Sequence, residues 1–264
     1  MIVAGDIGGT KTHLALFDWK TDRVDPVRLE SFHSADYTSL EDMLTEFLVP
    51  PKPPTSIDEF ATEKTDDAEP EPERSAEKSP KIDAACFGIA GPVIQNRCQT
   101  TNLPWVVDGA KLAKQFDIPR VKLLNDLEAM AHGILLLRPD EIETLNAGNP
   151  PPHKQALALI AAAGLKGQAD IAKQALDLFA SIYGAEAGNL ALKAMTLNGV
   201  YLGGGIAPKL LAKLKDGTFM KAFTNKGRYT RLMSSIPVKV VMNQQTALLG
   251  AASVAAALSH TPAS

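Results

Sequence analysis

Apolar residues recur along this chain in two alternating rhythms. Short runs at 84–89, 121–124, 156–161, 200–202 and 238–242 are nearly continuous in apolar residues and predict strands. Between them, 39–48 places Leu40, Met43, Leu44, Phe47 and Leu48 at helical spacing. The stretches 110–116, 127–136, 209–213 and 246–257 also predict helices, and 170–197 reads as one long helix or two shorter ones. At the N-terminus, two more strands at 1–4 and 13–17 flank a glycine-rich bend. Strands that alternate with helices, together with hairpins of antiparallel strands, define an α/β fold.

The rhythm breaks at 50–81, where Pro, Glu, Asp, Lys, Ser and Thr replace the large apolar residues. Such a segment cannot bury enough surface to order itself, which predicts a disordered or linker insert. Its acidic excess, with Asp66, Asp67, Glu69, Glu71 and Glu73, outweighs the net charge of −3 carried by all 264 residues. The remainder is therefore near neutral or slightly positive. There is no basic excess for nucleic acid and no polybasic stretch for a membrane surface. Cys86 and Cys98 are the only cysteines, too few for a disulfide scaffold or a four-thiolate zinc site, and the five histidines show no metal spacing. The longest apolar stretch, 247–258, is too short to span a bilayer, and no leader pattern opens the chain, so a cytoplasmic location is expected.

Candidate chemistry begins in the bend, Gly5, Asp6, Ile7, Gly8, Gly9, Thr10, Lys11 and Thr12. Glycine lets successive backbone N–H groups approach an anion, and Asp6 offers an oxygen to a phosphate-bound Mg²⁺. A tight glycine turn between two strands needs no ligand, so both readings stand. Asn125 and Asp126 end a strand where a helix begins. A carboxylate there faces the crevice in which open α/β sheets bind ligands, and is equally suited to cap the helix. As a general base, Asp126 would accept the proton of an attacking hydroxyl. Gly203, Gly204 and Gly205 form a second side-chain-free turn, fit for a flat ring or simply for close packing, with a helix N-terminus beyond that favours anions. Thr101, Asn102, Leu103, Pro104 and Trp105 offer an amide and an indole to a sugar, or form a plain turn.

Taken in order, the bend 5–12, the run 87–93 (Phe-Gly-Ile-Ala-Gly-Pro-Val), 101–105, 125–129 (Asn-Asp-Leu-Glu-Ala) and 199–208 resemble bacterial-type glucokinase. Lys226, Gly227 and Arg228, the run 236–238 and the closing 248–252 continue the likeness, which covers nearly everything outside 50–81. The resemblance implies a two-lobed actin-like, hexokinase-like (ribonuclease H-like) ATPase fold. A small lobe would comprise 1–49 and 82–125 with 246–264 returning to it, and a larger lobe 126–245. It also implies ATP-dependent phosphorylation of the glucose 6-hydroxyl with Mg²⁺, with glucose and ATP as partners. Gly5 to Thr12 would then hold the phosphates, Asp6 the metal through them, and Gly203, Gly204 and Gly205 the adenosine. Asn102 and Asn125 would hold the sugar, and Asp126 would be both sugar ligand and catalytic base. A kinase of another hexose, and a non-catalytic relic that binds nucleotide or sugar, are the alternatives.

One departure stands out. After 156–161 the family pattern calls for a second glycine- and threonine-rich phosphate turn, then a Glu-Gly-Gly-His motif and a further glutamate that grip the sugar. Here 161–167 leads straight into the next helix, so the larger lobe is shortened. Charged hydrogen bonds worth roughly 1.5–3 kcal/mol each are lost to the sugar, along with donors of a kind worth about 10²–10³ in rate. Weak or absent turnover is expected. The strand 156–161 and the helix 171–182 are expected to expose apolar surface, which favours a homo-oligomer.

Overall fold

The computed structural model describes residues 1–20, 23–48, 80–149, 158–161 and 169–260. The expected insert falls at 50–79 outside them, as do the shortened stretch 162–167 and the first two residues of the strand expected at 156–161.

The first strand, β1 (Ile2–Ile7), turns into the antiparallel β2 (Lys11–Phe17), which pairs with β3 (Arg28–His33). After α1 (Leu40–Leu48) the chain returns as β4 (Ala84–Ile89), parallel to β1. A small antiparallel ribbon follows, made of β5 (Val93–Ile94), β6 (Arg97–Gln99) and β7 (Val106–Asp108). Next come α2 (Gly109–Gln115), capped by the Asp108 carboxylate, and β8 (Val121–Asn125), parallel to β4. The first sheet thus has the order β3-β2-β1-β4-β8, and α3 (Asp126–Ile134) leaves its edge.

A second sheet, β10-β11-β12-β9, is built from β9 (Ile142–Asn146), β10 (Ala158–Ala161), β11 (Val200–Gly203) and β12 (Val238–Val241). Its helices are α4 (Ala169–Ala194), α5 (Leu211–Lys215), α6 (Thr218–Thr224) and α7 (Thr230–Ser234). The last helix, α8 (Thr246–His260), returns to the first sheet.

Strand alternation sorts β1 onto two faces. Val3 and Ile7 join Leu14, Phe87, Met43 and Phe47 under α1, while Ile2 and Ala4 join Phe17, Leu124, Ala251 and Ala255 under α8. By the same alternation Asp6 lies on the α8 side, the side from which α3 departs. The small residues of α8 let it press against α3. A β-carbon on Gly133 would stand 1.8 Å from the Thr246 carbonyl oxygen, and one on Gly250 would stand 1.7 Å from that of Ala129. Only glycine permits this approach at either position. In the second half, Phe219 and Phe223 of α6 pack with Tyr183 and Ala187 of α4 over Val200, Leu202, Val238 and Val240.

The chain crosses between the two sheets at 135–141 and again at 242–245, and both crossings meet at Glu141. Arg23 Nη1 and Nη2 donate to its two oxygens at 2.5 and 2.8 Å, and Asn243 Nδ2 donates to it at 2.7 Å. The Met242 N–H donates to the Glu141 carbonyl at 2.9 Å, which ties the crossings together directly.

Two features differ from the sequence expectation. The ladder of β1 and β2 runs on to the Ile7–Thr12 pair because Ile7 is a core residue, so Gly5, Asp6 and Ile7 belong to β1, and Lys11 and Thr12 to β2. The bend itself is only 8–10. The helix after Gly203 to Gly205 starts at Leu211 behind a turn and is five residues long, so no helix N-terminus adjoins the glycines. Of the two readings open for 170–197, the single long helix holds: α4 runs unbroken and ends at Ala194. Its outer face leaves Leu178, Ile182 and Leu190 exposed at 62%, 53% and 46%.

Candidate active site

Four segments converge at the carboxyl ends of β1, β4 and β8, where an open α/β sheet presents its crevice. The bend at 8–10 closes through the Gly8 N–H, which donates to the Lys11 carbonyl at 3.1 Å. A β-carbon on Gly8 would stand 2.7 Å from that oxygen, and one on Gly9 would stand 2.6 Å from the Asn102 Cβ. Asn102 therefore lies against the bend, in the loop between β6 and β7. Thr10 and Lys11 are exposed.

Ala90 joins the segments. Its N–H donates to the Ile7 carbonyl at 3.1 Å, and its own carbonyl accepts from the Thr101 hydroxyl at 3.0 Å. One residue on, the Gly91 carbonyl accepts from Asn125 Nδ2 at 2.9 Å. These bonds set the 101–102 loop and the end of β8 on either side of the 90–91 segment.

Asn125 caps α3: its Oδ1 accepts from the Leu127 N–H at 3.0 Å. The capping reading open for Asp126 thus passes to its neighbour. Asp126 Oδ1 accepts from the same N–H at 2.9 Å, and among the described residues its Oδ2 has no hydrogen-bond partner. Asn125, with both amide atoms engaged, keeps one further N–H to offer.

Asp6 faces Asp126 electrostatically. Burial, and after it the negative charge of Asp126, raise the Asp6 carboxyl from 3.8 to about 6. Gly88, paired with Asp6 across the ladder, has no side chain, so Ala129 of α3 lies over the sheet there. Among the described residues neither aspartate has a cationic partner. Cys98 is buried, with its thiol raised by burial and then by the charge of Asp126.

Gly203, Gly204 and Gly205 stand apart from this cluster, at the end of β11. Gly204 has φ of 93°, a conformation that favours glycine, and a β-carbon on Gly205 would meet nothing within 4 Å. Trp105 corrects one expectation: it is 3% exposed, packed in the core, and its indole N–H donates to the Tyr37 carbonyl at 3.3 Å, so it offers nothing to a sugar. Sequence reasoning missed Ser34, a buried residue that bonds the bend from outside its own segment. It follows a strand that the hydrophobic pattern did not reveal.

The Glucokinase family model matches residues 3–164 and 151–258, and the chain belongs to this family. A glucokinase from Nostoc sp. (strain PCC 7120 / SAG 25.82 / UTEX 2576) is 28% identical over 365 positions, which cover 98% of this chain and 99% of that protein. A Synechocystis glucokinase is 28% identical over 367 positions. Since the chain has 264 residues, more than a quarter of those positions face nothing here. The two matched segments overlap at 151–164, and the overlap ends within the shortened stretch. Among solved structures, glucokinase from an Antarctic psychrotroph superposes with a TM-score of 0.72 at 19% identity, covering 96% of this chain and 98% of that one. The ROK hexokinase of Thermus thermophilus gives 0.56 at 17% identity, covering 96% and 97%. These likenesses show the actin-like sugar-kinase fold.

Proposed function

We propose that this chain transfers the γ-phosphoryl group of ATP to the 6-hydroxyl of glucose, slowly. The observation that carries the proposal is the convergence of the glycine bend and Asp126 at one end of the first sheet, with the charge of Asp126 felt at Asp6. Phosphoryl transfer asks mainly for alignment and charge neutralisation. Backbone N–H groups of Gly9, Thr10 and Lys11, with the exposed Lys11 side chain, receive the phosphates. Gly5, Ile7 and Thr12, buried within their strands, shape the bend rather than touch the ligand. Asn102 and the remaining N–H of Asn125 hold sugar hydroxyls. Asp126 Oδ2 takes the proton of the 6-hydroxyl as that oxygen bonds to the γ-phosphorus and ADP departs. In the turn of Gly203, Gly204 and Gly205, Gly205 leaves open space for the adenosine.

Two carboxylates without a cationic partner fit a divalent ion, and hard oxygen donors suit Mg²⁺. Among the described residues no group of three His, Cys, Asp or Glu forms a protein-built cage, which suits an ion that arrives on phosphate. Asp6 would hold it, and when bound it would neutralise charge on the transferred group. In this proposal the lobes divide after α3, which packs on α8 and β4, rather than at residue 126. A cytoplasmic location is part of it, and among the described residues no helix is long and apolar enough to cross a membrane.

The shortened larger lobe favours a second reading, nucleotide binding without transfer. A coupled assay for glucose 6-phosphate at saturating ATP separates the two. Slow product formation, below about 10 s⁻¹, is expected. ATP binding with no product would leave the second reading, and turnover above that value would overturn the effect assigned to the shortened lobe.

A further inference from the structure

The bend between β1 and β2 is pinned from outside its own motif. Ser34 follows β3 and is completely buried, as is Thr12 on β2. The Ser34 hydroxyl donates to the Gly8 carbonyl at 2.8 Å. Its oxygen lies 3.0 Å from the Thr12 hydroxyl, and with the Ser34 proton committed to Gly8, Thr12 is the donor in that pair. The Ser34 backbone N–H donates to the Thr10 carbonyl at 3.0 Å. One residue therefore holds a carbonyl on each side of Gly9.

We infer that Ser34 is a positioning residue for the nucleotide phosphates, acting through the peptide planes of the bend. In a trans peptide the C=O and the following N–H point in opposite directions. Drawing the Gly8 carbonyl inward turns the Gly9 N–H away from Ser34, and holding the Thr10 carbonyl does the same to the Lys11 N–H. The hydroxyl relay from Thr12 through Ser34 to Gly8 lies in the interior, where each bond polarises the next and no water competes. The two N–H groups are thereby oriented before any ligand arrives, so ATP need not spend binding energy on ordering a glycine turn that would otherwise sample many conformations. The ribbon of hydroxyls is not itself a ligand site, because both are sealed from solvent. The inference rests on the proposed role of the bend as the phosphate site.

Calorimetric titration of the full chain with Mg-ATP and, separately, with adenosine tests it. Ser34→Ala is expected to raise the Kd for ATP about tenfold and leave that for adenosine unchanged. Thr12→Val, which keeps the shape of the side chain and removes the first hydroxyl, is expected to raise the ATP Kd by a smaller factor. Thr12→Ser restores the hydroxyl and is expected to restore affinity. Equal weakening of ATP and adenosine by Ser34→Ala, or no weakening of either, would overturn the inference even if thermal stability fell. The wild-type titration is the separate control. Absence of an ATP signal there would overturn the assignment of the bend as a phosphate site and this inference with it, whereas normal wild-type binding with an unaffected Ser34→Ala overturns this inference alone.

Discussion

Gly9 and Asn102 are in contact so close that a β-carbon on the first would stand 2.6 Å from the Cβ of the second. The bend assigned to the phosphates and the loop assigned to the sugar therefore share one wall. Gly9→Ala must push Asn102 aside, while the bend itself lies at the surface and bears little of the core. Steady-state kinetics on Gly9→Ala should show the glucose KM raised about tenfold, with the unfolding midpoint shifted by less than roughly 4 °C. An unchanged KM would separate the two segments functionally.

Asp6 should make the protein less stable as pH rises. Its folded carboxyl sits at about 6 against 3.8 unfolded, so its contribution is complete below 3.8 and is lost as pH rises through about 6. Converted at about 1.36 kcal/mol per unit, the effect is at most about 3 kcal/mol. Urea unfolding at pH 4 and pH 8 should show this loss in the wild type and its reduction in Asp6→Asn, which is also expected to weaken Mg-ATP binding.

Arg23 and Glu141 carry the opposite sign. The Arg23 hydrogen bonds, helped by the Arg138 N–H and Asn243, hold the Glu141 carboxyl down at about 2 from 4.5. This contribution is present above 4.5 and is lost as pH falls through about 2. The pair is largely shielded from water at the crossing between lobes, so Glu141→Gln should cost about 3 kcal/mol by chemical denaturation. Replacing both partners, Arg23→Met with Glu141→Met, should recover most of it, because no unpaired charge remains.

Leu178 and Ile182 of α4, exposed at 62% and 53%, lie on one side of the helix. We expect this face to drive self-association. Size-exclusion chromatography should show species larger than one chain, and Leu178→Lys with Ile182→Glu should return the protein to monomer size. A compact wild-type monomer would contradict this.

Much of the fold was legible because burial imposes periodicity. The run 84–89 is β4 to the residue, and α1, α3, β11, β12 and α8 begin within two residues of where the pattern places them. What escaped has little periodicity to show. β3 is an edge strand in which only Phe32 is buried, β5 to β7 are two or three residues each, and α7 has five. In the site, the motif was legible and its fine structure was not. Whether Asn125 or Asp126 caps α3 depends on a single backbone turn, and the hydroxyl of Ser34 reaches the bend through tertiary contacts that no local pattern encodes.

The central claim is that Asp126 works as a base opposite the phosphate bend, and Asp126→Asn tests it most directly. Since Asn125 supplies the cap, the substitution should leave the unfolding free energy almost unchanged. Formation of glucose 6-phosphate at saturating ATP should fall by about 10²–10⁴. A variant that makes product at the wild-type rate would contradict the account.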